Sequence, residues 1–223
     1  MCGRYVITSS PDSIRRLLAY EDQPNFPPRF NVAPTQPVPI VRLMAGKRQF
    51  ALARWGLVPS WVKDPRKFAL LINARAEGIN EKPSFRAAMK RRRCLVPADG
   101  FYEWRKSGTA KRPFFIRPRK GGPIAFAGLW ETWADRDGGE IDTMAIITCA
   151  ANRTLAAIHD RMPVILAPEA FDLWLDGDKV EAKTAAALLA PAPVNLLEAY
   201  EISPRVNSIR NDGPELIAPV ERA

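Results

Sequence analysis

Histidine, cysteine and long apolar segments are all scarce in this chain of 223 residues. His159 is the only histidine, which excludes sites that need two or more imidazoles. Cysteine occurs three times, at Cys2, Cys94 and Cys149, and the sequence contains no CxxC pair. A zinc site of three cysteines and one histidine would need scattered ligands without the usual close spacing. We therefore predict neither a metal nor a cofactor.

The few cysteines and the apolar pattern also predict a location. No secretory signal opens the sequence, because no apolar segment follows Met1 to Arg4. An odd number of cysteines without such a signal favours reduced thiols in the cytoplasm over a disulfide scaffold. No apolar run is long enough to span a bilayer, so we expect no membrane contact.

The chain carries a basic surplus of 33 lysines and arginines over 24 aspartates and glutamates, a net charge of +9. Such a surplus favours a polyanionic partner, above all nucleic acid, although a solvated basic surface explains the charge equally well. Hydrophobic residues make up 47% of the chain, which is enough for one sizeable core. We predict a single domain over residues 1–223.

Short strands with helices around them dominate the pattern along the chain. Ser10 and Pro11 predict the start of a helix, because Ile14, Leu17 and Leu18 follow at helical spacing. Further helices are predicted over 83–93, 152–158, 168–174 and 180–189. Strands are predicted over 39–43, 49–55, 94–98, 113–117, 124–130 and 143–148. This order predicts an α+β domain around a mostly antiparallel sheet.

Cys2 is a candidate nucleophile because removal of Met1 would place an α-amine and a thiol on the same residue. An α-amine has a pKa of about 7.7–8.0, so much of it is uncharged near neutral pH and can form a Schiff base with an aldehyde. The adjacent thiol can then close a thiazolidine ring. The same terminus also suits an N-terminal-nucleophile amidohydrolase, and the residue could equally be an incidental cysteine.

Two further side chains suit proton transfer. His159 precedes Asp160 and is the one side chain whose unperturbed pKa lies near neutrality, although a single histidine is often structural. Glu103 lies among Phe101, Tyr102 and Trp104. Apolar surroundings raise the pKa of a carboxyl and suit it to acid–base catalysis, whereas a glutamate on a strand can also simply face solvent.

Asn73, Arg75 and Glu77 alternate directly after an apolar run and would share one face of a strand. An asparagine can orient an amine without titrating, and an arginine suits phosphate. A turn with an exposed ion pair would give the same spacing. Nearby tryptophans can form a core or stack on unpaired bases.

The combined motifs resemble the SRAP family, the abasic-site processing proteins also called SOS-response-associated peptidases. The matching segments extend over nearly the whole chain, and the blocks around Cys2 and His159 are the most specific. They are MCGRY at 1–5, RFNVAPT at 29–35, WGLVPSW at 55–61, NARAE at 73–77, ADGFYEW at 98–104, HDRMP at 159–163 and VN at 206–207.

The resemblance implies covalent capture of abasic sites in single-stranded DNA through the N-terminal cysteine. Cys2 would be the nucleophile, Asn73 would position its amine, and Glu103 would transfer protons during imine formation and ring closure. His159 would help to open the deoxyribose ring and could assist reversal of the crosslink. Gly78 follows Glu77 where the family often has threonine or serine, so the resemblance supports Asn73 and Arg75 better than Glu77.

The resemblance also implies a DNA interface and a fold. The family fold is a single α+β domain with a barrel-like β core and a basic groove, and we expect a monomer. The implied phosphate contacts are Arg4, Arg75 and Arg161, and the implied lining of the cleft is Pro34, Trp61 and Trp104.

Two other functions stay open, an N-terminal-nucleophile peptidase or amidohydrolase and a noncatalytic single-strand-binding module.

Overall fold

A computed structural model describes residues 2–135 and 137–220 of the chain. Strands dominate it, and the six whose bounds the sequence predicts all extend further than predicted. The strands are β1 (Tyr5–Ile7), β2 (Arg29–Val32), β3 (Pro37–Met44), β4 (Lys47–Trp55), β5 (Asn73–Arg75), β6 (Arg93–Ala98), β7 (Gly100–Ser107), β8 (Ala110–Pro118), β9 (Ile124–Ala134), β10 (Glu140–Ala150), β11 (Arg161–Pro163), β12 (Ile165–Leu166) and β13 (Leu197–Glu201).

Five strands close into a barrel. Their order is β10, β4, β3, β6 and β9, and β9 pairs again with β10 to complete the ring. All of these pairings are antiparallel except that of β4 with β10. Apolar side chains such as Ile40, Val96, Phe126 and Ile146 fill the core. The predicted fold class, a mostly antiparallel, barrel-like α+β domain, is confirmed, whereas the domain boundaries stay a prediction.

A second, fully antiparallel sheet has the order β13, β8, β7, β1 and β2. Its strand β1 is enclosed on both edges, with Tyr5 opposite Val32 on one side and Phe101 on the other. The Asp99 carboxylate secures the end of β1, because it accepts hydrogen bonds from the backbone N–H groups of Thr8 and Ser9 at 2.6 and 2.8 Å. The position of β1 in turn fixes the position of Cys2.

Helices lie around the strands and are shorter than predicted. They are α1 (Pro11–Leu18), α2 (Arg86–Arg91), α3 (Phe171–Leu175) and α4 (Ala182–Ala186). The start of α1 is as predicted, with Ser10 capping the helix and Ile14 and Leu18 buried. The helix predicted over 152–158 is wrong, because residues 153–158 form turns. Among the described residues, no helix is long and apolar enough to cross a membrane.

Arg93 explains why the helix predicted over 83–93 ends early. This residue begins β6, and its buried guanidinium donates to five backbone carbonyls. They belong to Met89 (2.9 Å), Lys90 (3.4 Å), Trp174, Asp176 (2.7 Å) and Val180 (3.0 Å). The side chain thus joins α2, α3 and the segment before α4 to the barrel.

We expect Arg93→Met to lower the free energy of unfolding by about 3 to 5 kcal/mol, because several buried carbonyls would lose their donors. Arg91→Met makes the same chemical change at an exposed position and should shift it by less than about 0.5 kcal/mol. Urea denaturation of the two variants measures the difference. Equal losses would contradict the proposed role of the Arg93 hydrogen bonds.

Candidate active site

Cys2 is buried just before β1, and Asn73 holds its backbone. The Asn73 side-chain Nδ2 donates a hydrogen bond of 2.9 Å to the Cys2 carbonyl. Asn73 begins β5, whose parallel pairing with β10 places it opposite Ile146. The Oδ1 atom of Asn73 is buried and has no hydrogen-bond partner among the described residues. The amide nitrogen of Asn73 therefore orients Cys2, and its amide oxygen offers a hydrogen-bond acceptor beside that residue.

The environment of the Cys2 thiol opposes ionisation. Burial raises the pKa of Cys2 far above its ordinary value, and the negative charge of Glu103 raises it further. The Sγ atom lies 3.9 Å from the Arg4 carbonyl oxygen, at the limit of a weak hydrogen bond. The thiol is therefore protonated at neutral pH, and it needs a proton acceptor before or during any attack.

Glu103 lies on β7 and is only 3% exposed, so it does not face solvent. It is opposite Phe114 on β8. Burial raises the pKa of its carboxyl, and the nearby His159 acts in the opposite direction. A carboxyl that holds its proton more tightly than usual can donate and accept protons near neutral pH.

His159 brings a second titratable group to Glu103. Its Nε2 atom lies 4.0 Å from Oε2 of Glu103. Its Nδ1 atom accepts a hydrogen bond of 2.9 Å from the Arg161 backbone N–H, and Oδ1 of Asp160 is also 2.9 Å away. The Nε2 atom is therefore the ring nitrogen that faces Glu103. The structure thus brings together Cys2, Asn73, Glu103 and His159.

Arg161 and Arg75, both predicted to meet phosphate, lie in different environments. Arg75 is exposed at the end of β5. Arg161 is largely buried, and its guanidinium donates to both carboxylate oxygens of Glu77, at 2.7 and 2.8 Å, and to the Thr148 carbonyl at 2.6 Å. The sequence indicated an ion pair only as an alternative, and it did not identify Arg161 as the partner of Glu77.

Arg4 and Trp104 both contact the C-terminal segment 203–218. Arg4 donates to Oδ1 of Asn31 at 2.9 Å and to the backbone carbonyls of Val206 and Asn207, at 2.8 and 3.3 Å. Trp104 Nε1 donates to Oδ1 of Asn207 at 2.8 Å. The described contacts of Arg4 therefore hold the fold together, and its phosphate contact stays a prediction. The VN motif at 206–207 was the one sequence signal that could have indicated these contacts with the C-terminal segment.

Trp61 and Pro34 lie apart from these groups. Trp61 is 58% exposed, and its ring meets the ring of Phe68 edge to face at 5.6 Å. Pro34 is half-buried and precedes Thr35, which has a positive φ of 72°. The contacts of the described residues do not connect either side chain to Cys2. An exposed tryptophan is available for stacking, whereas nothing in the surroundings of Pro34 indicates a ligand.

Known proteins are similar to this chain in sequence and in fold. Abasic site processing protein YoqW of Bacillus subtilis is 38% identical over 97% of this chain and 99% of its own length. Abasic site processing protein YedK of Escherichia coli is 33% identical over 99% of this chain and its own full length. A crystal structure of a Bacteroides thetaiotaomicron protein superimposes with a TM-score of 0.86, at 28% identity, and covers 99% of this chain and 100% of that one.

The similarity extends to vertebrates. Abasic site processing protein HMCES of Xenopus tropicalis is 31% identical over 99% of this chain, which matches 78% of the HMCES length. The family model described as SOS response associated peptidase (SRAP) matches residues 1–209. With a matching model over most of the chain and relatives above 30% identity along its length, the chain belongs to the SRAP family.

Proposed function

We propose that this protein captures abasic sites in single-stranded DNA as a covalent adduct with Cys2. The observation that carries the proposal is the hydrogen bond from Asn73 to the Cys2 carbonyl, which fixes the reactive residue beside two proton-transfer groups. The names of the relatives as abasic site processing proteins support the same substrate. The proposal includes a monomer that acts on DNA in the cytoplasm.

The reaction requires removal of Met1, which lies outside the described residues. The freed α-amine of Cys2 attacks the aldehyde carbon C1′ of the ring-opened deoxyribose and forms a C–N bond. The carbonyl oxygen leaves as water and gives an imine. The sulfur of Cys2 then adds to C1′, and the thiol proton passes to the imine nitrogen. The net change is loss of one water and formation of a five-membered thiazolidine.

The buried groups fit the proton transfers that this sequence needs. Glu103 protonates the departing oxygen and later accepts the proton of the thiol, whose raised pKa prevents spontaneous ionisation. His159 lies within 4.0 Å of Glu103 and assists opening of the sugar ring. Reversal of the adduct would use the same groups in the opposite order. The Oδ1 acceptor of Asn73 is suited to bind the α-amine.

The proposed DNA interface uses the positive charge around this site. In the proposed interface, Arg75 and Arg161 meet phosphates beside the abasic nucleotide, and Arg161 does so once Glu77 has left its guanidinium. Trp61 and Trp104 offer exposed and half-buried rings for stacking on flanking bases. Arg4 and Pro34 complete the proposed interface. Arg4 also supports the C-terminal segment, because it donates to two backbone carbonyls of that segment.

The test is incubation of the purified protein with single-stranded DNA that contains one abasic site, followed by denaturing gel electrophoresis. We expect a band at the combined mass of protein and DNA, and only from protein that has lost Met1. Intact-mass analysis shows which samples have lost it. DNA with an ordinary base at that position is the control and should give no such band. Absence of the band with trimmed protein would overturn the proposal.

The family description as a peptidase, together with a buried acid beside Cys2, favours an N-terminal-nucleophile amidohydrolase as the second candidate. That function needs no DNA. Turnover of a peptide or amide substrate at an unchanged rate in the presence of competing abasic DNA would support it. Inhibition of any such turnover by abasic DNA would favour the covalent trap.

A further inference from the structure

Glu77 occupies both terminal nitrogens of the Arg161 guanidinium. The Nη1 and Nη2 atoms of Arg161 donate to the two oxygens of Glu77 in parallel, at 2.7 and 2.8 Å, and Nη2 also donates to the Thr148 carbonyl. The arginine side chain is 13% exposed, while the glutamate is 59% exposed. The carboxylate therefore covers the solvent side of a largely buried cation.

A carboxylate bound in this way imitates a phosphate. Both anions present two oxygens that match the planar fork of arginine, so they compete for the same donors. Arg161 lowers the pKa of Glu77 to about 2, and the carboxylate is therefore charged throughout the physiological range. Protonation cannot release it near neutral pH, so a phosphate must displace it.

Arg75 offers the displaced carboxylate a second partner. It lies two residues before Glu77, is exposed, and its charge also acts on the Glu77 carboxyl. An exposed glutamate side chain can rotate at low cost, whereas the buried Arg161 is held by the Thr148 carbonyl. Exchange of anions on Arg161 therefore needs movement of Glu77 only.

We propose that Glu77 is a specificity-determining residue that occupies the phosphate position on Arg161. This inference rests on the proposed function, because it assigns the occupied position to a DNA phosphate. Competition from Glu77 weakens binding that depends on the backbone alone. Undamaged single strands are then released readily, and retention depends on the covalent reaction at an abasic site.

A role for Glu77 in positioning Arg161 would change DNA binding in the opposite direction. If Glu77 only held Arg161 in a productive orientation, its neutralisation would weaken DNA binding. If it competes with phosphate, neutralisation strengthens binding to every single strand. Glu77→Gln keeps the shape of the side chain and removes its charge, so it separates the two roles.

The experiment measures fluorescence anisotropy of an undamaged, labelled single-stranded oligonucleotide at several salt concentrations. We expect Glu77→Gln to bind about threefold to tenfold more tightly than the unaltered protein. The slope of log affinity against log salt should steepen by about 0.7, the value for one additional phosphate contact on a single strand. Glu81→Gln changes the net charge equally at an exposed site outside this ion pair and should alter affinity less than about twofold.

A second background tests whether the effect passes through Arg161. In Arg161→Gln, adding Glu77→Gln should leave the affinity unchanged, because the guanidinium for which Glu77 and phosphate compete is absent. Unchanged or weaker binding by Glu77→Gln alone would overturn the inference, as would an equal gain in Glu81→Gln. These readings need no adduct, so failure of the unaltered protein to crosslink abasic DNA would overturn the proposed function and leave the affinity comparison valid.

Discussion

Cys2→Ala should lose the adduct that survives denaturing electrophoresis, with a reduction of roughly a hundredfold or more in yield. Alanine is small enough to permit removal of Met1, so the variant keeps a free α-amine and can still form an imine with the aldehyde. Without sulfur the imine cannot close to a thiazolidine, and water reverses it. Borohydride, which reduces an imine to a stable amine, should therefore restore a band for this variant.

The other two cysteines provide matched controls. Cys94 and Cys149 are both buried, and burial raises the pKa of each thiol as it does for Cys2. Cys94→Ala and Cys149→Ala should crosslink abasic DNA as the unaltered protein does. If Cys2→Ala forms a denaturant-stable adduct with equal yield and no borohydride, the thiazolidine mechanism is wrong.

Glu103→Gln should slow adduct formation by about a hundredfold or more, which is the usual contribution of a positioned acid–base group. Glutamine keeps the size of the side chain but cannot transfer a proton. The rate measured against pH should also lose one of its ionisations. A purely structural role would leave the shape of that profile unchanged, so single-turnover rates across pH distinguish the two roles.

The same variant should not be less stable at neutral pH. The pKa of Glu103 is raised in the folded state, so its favourable contribution is present below the unfolded pKa and is lost as pH rises through the folded value. Removing the carboxyl eliminates that loss, and the unfolding free energy at neutral pH should be equal or higher. Glu131→Gln removes another buried glutamate with a raised pKa, one paired with Arg92, and should leave the crosslinking rate unchanged. A lower unfolding free energy for Glu103→Gln than for the unaltered protein at neutral pH would contradict this stability prediction.

The sequence predicts the barrel well because its strands are apolar runs bounded by turns. The pair of strands around Ala45 and Gly46 is an example, since both residues have the positive φ that such a turn needs. The aromatic neighbours of Glu103 left burial and solvent exposure both open, and the structure shows that the side chain is buried. Closure of the ring does not follow from the sequence, because the parallel pairing of β4 with β10 joins segments about ninety residues apart and leaves no local pattern.

Two separate turns, whose described backbone hydrogen bonds go to the Asn152 and Leu155 carbonyls only, replace the continuous helix predicted over 152–158. The Asn152 side chain accepts from the Leu155 N–H at 3.1 Å and donates to the Ala192 carbonyl at 2.9 Å. The backbone then turns again, with the Ile158 N–H donating to the Leu155 carbonyl at 2.8 Å. Such a contact with a distant carbonyl cannot be predicted from periodicity. The pairing of Glu77 with Arg161 was missed for the same reason, since 84 residues separate the two.

The enclosure of β1 between β2 and β7 sets an order of events during synthesis. Asn73 follows Cys2 by 71 residues, and Val206, whose carbonyl accepts from Arg4, follows Arg4 by 202. Until the ribosome has passed residue 73 neither partner exists, and the emerging N-terminus stays accessible to an aminopeptidase. We therefore expect the trimming of Met1 to occur on the nascent chain. Completion of the C-terminal segment then buries a residue that is already competent to react.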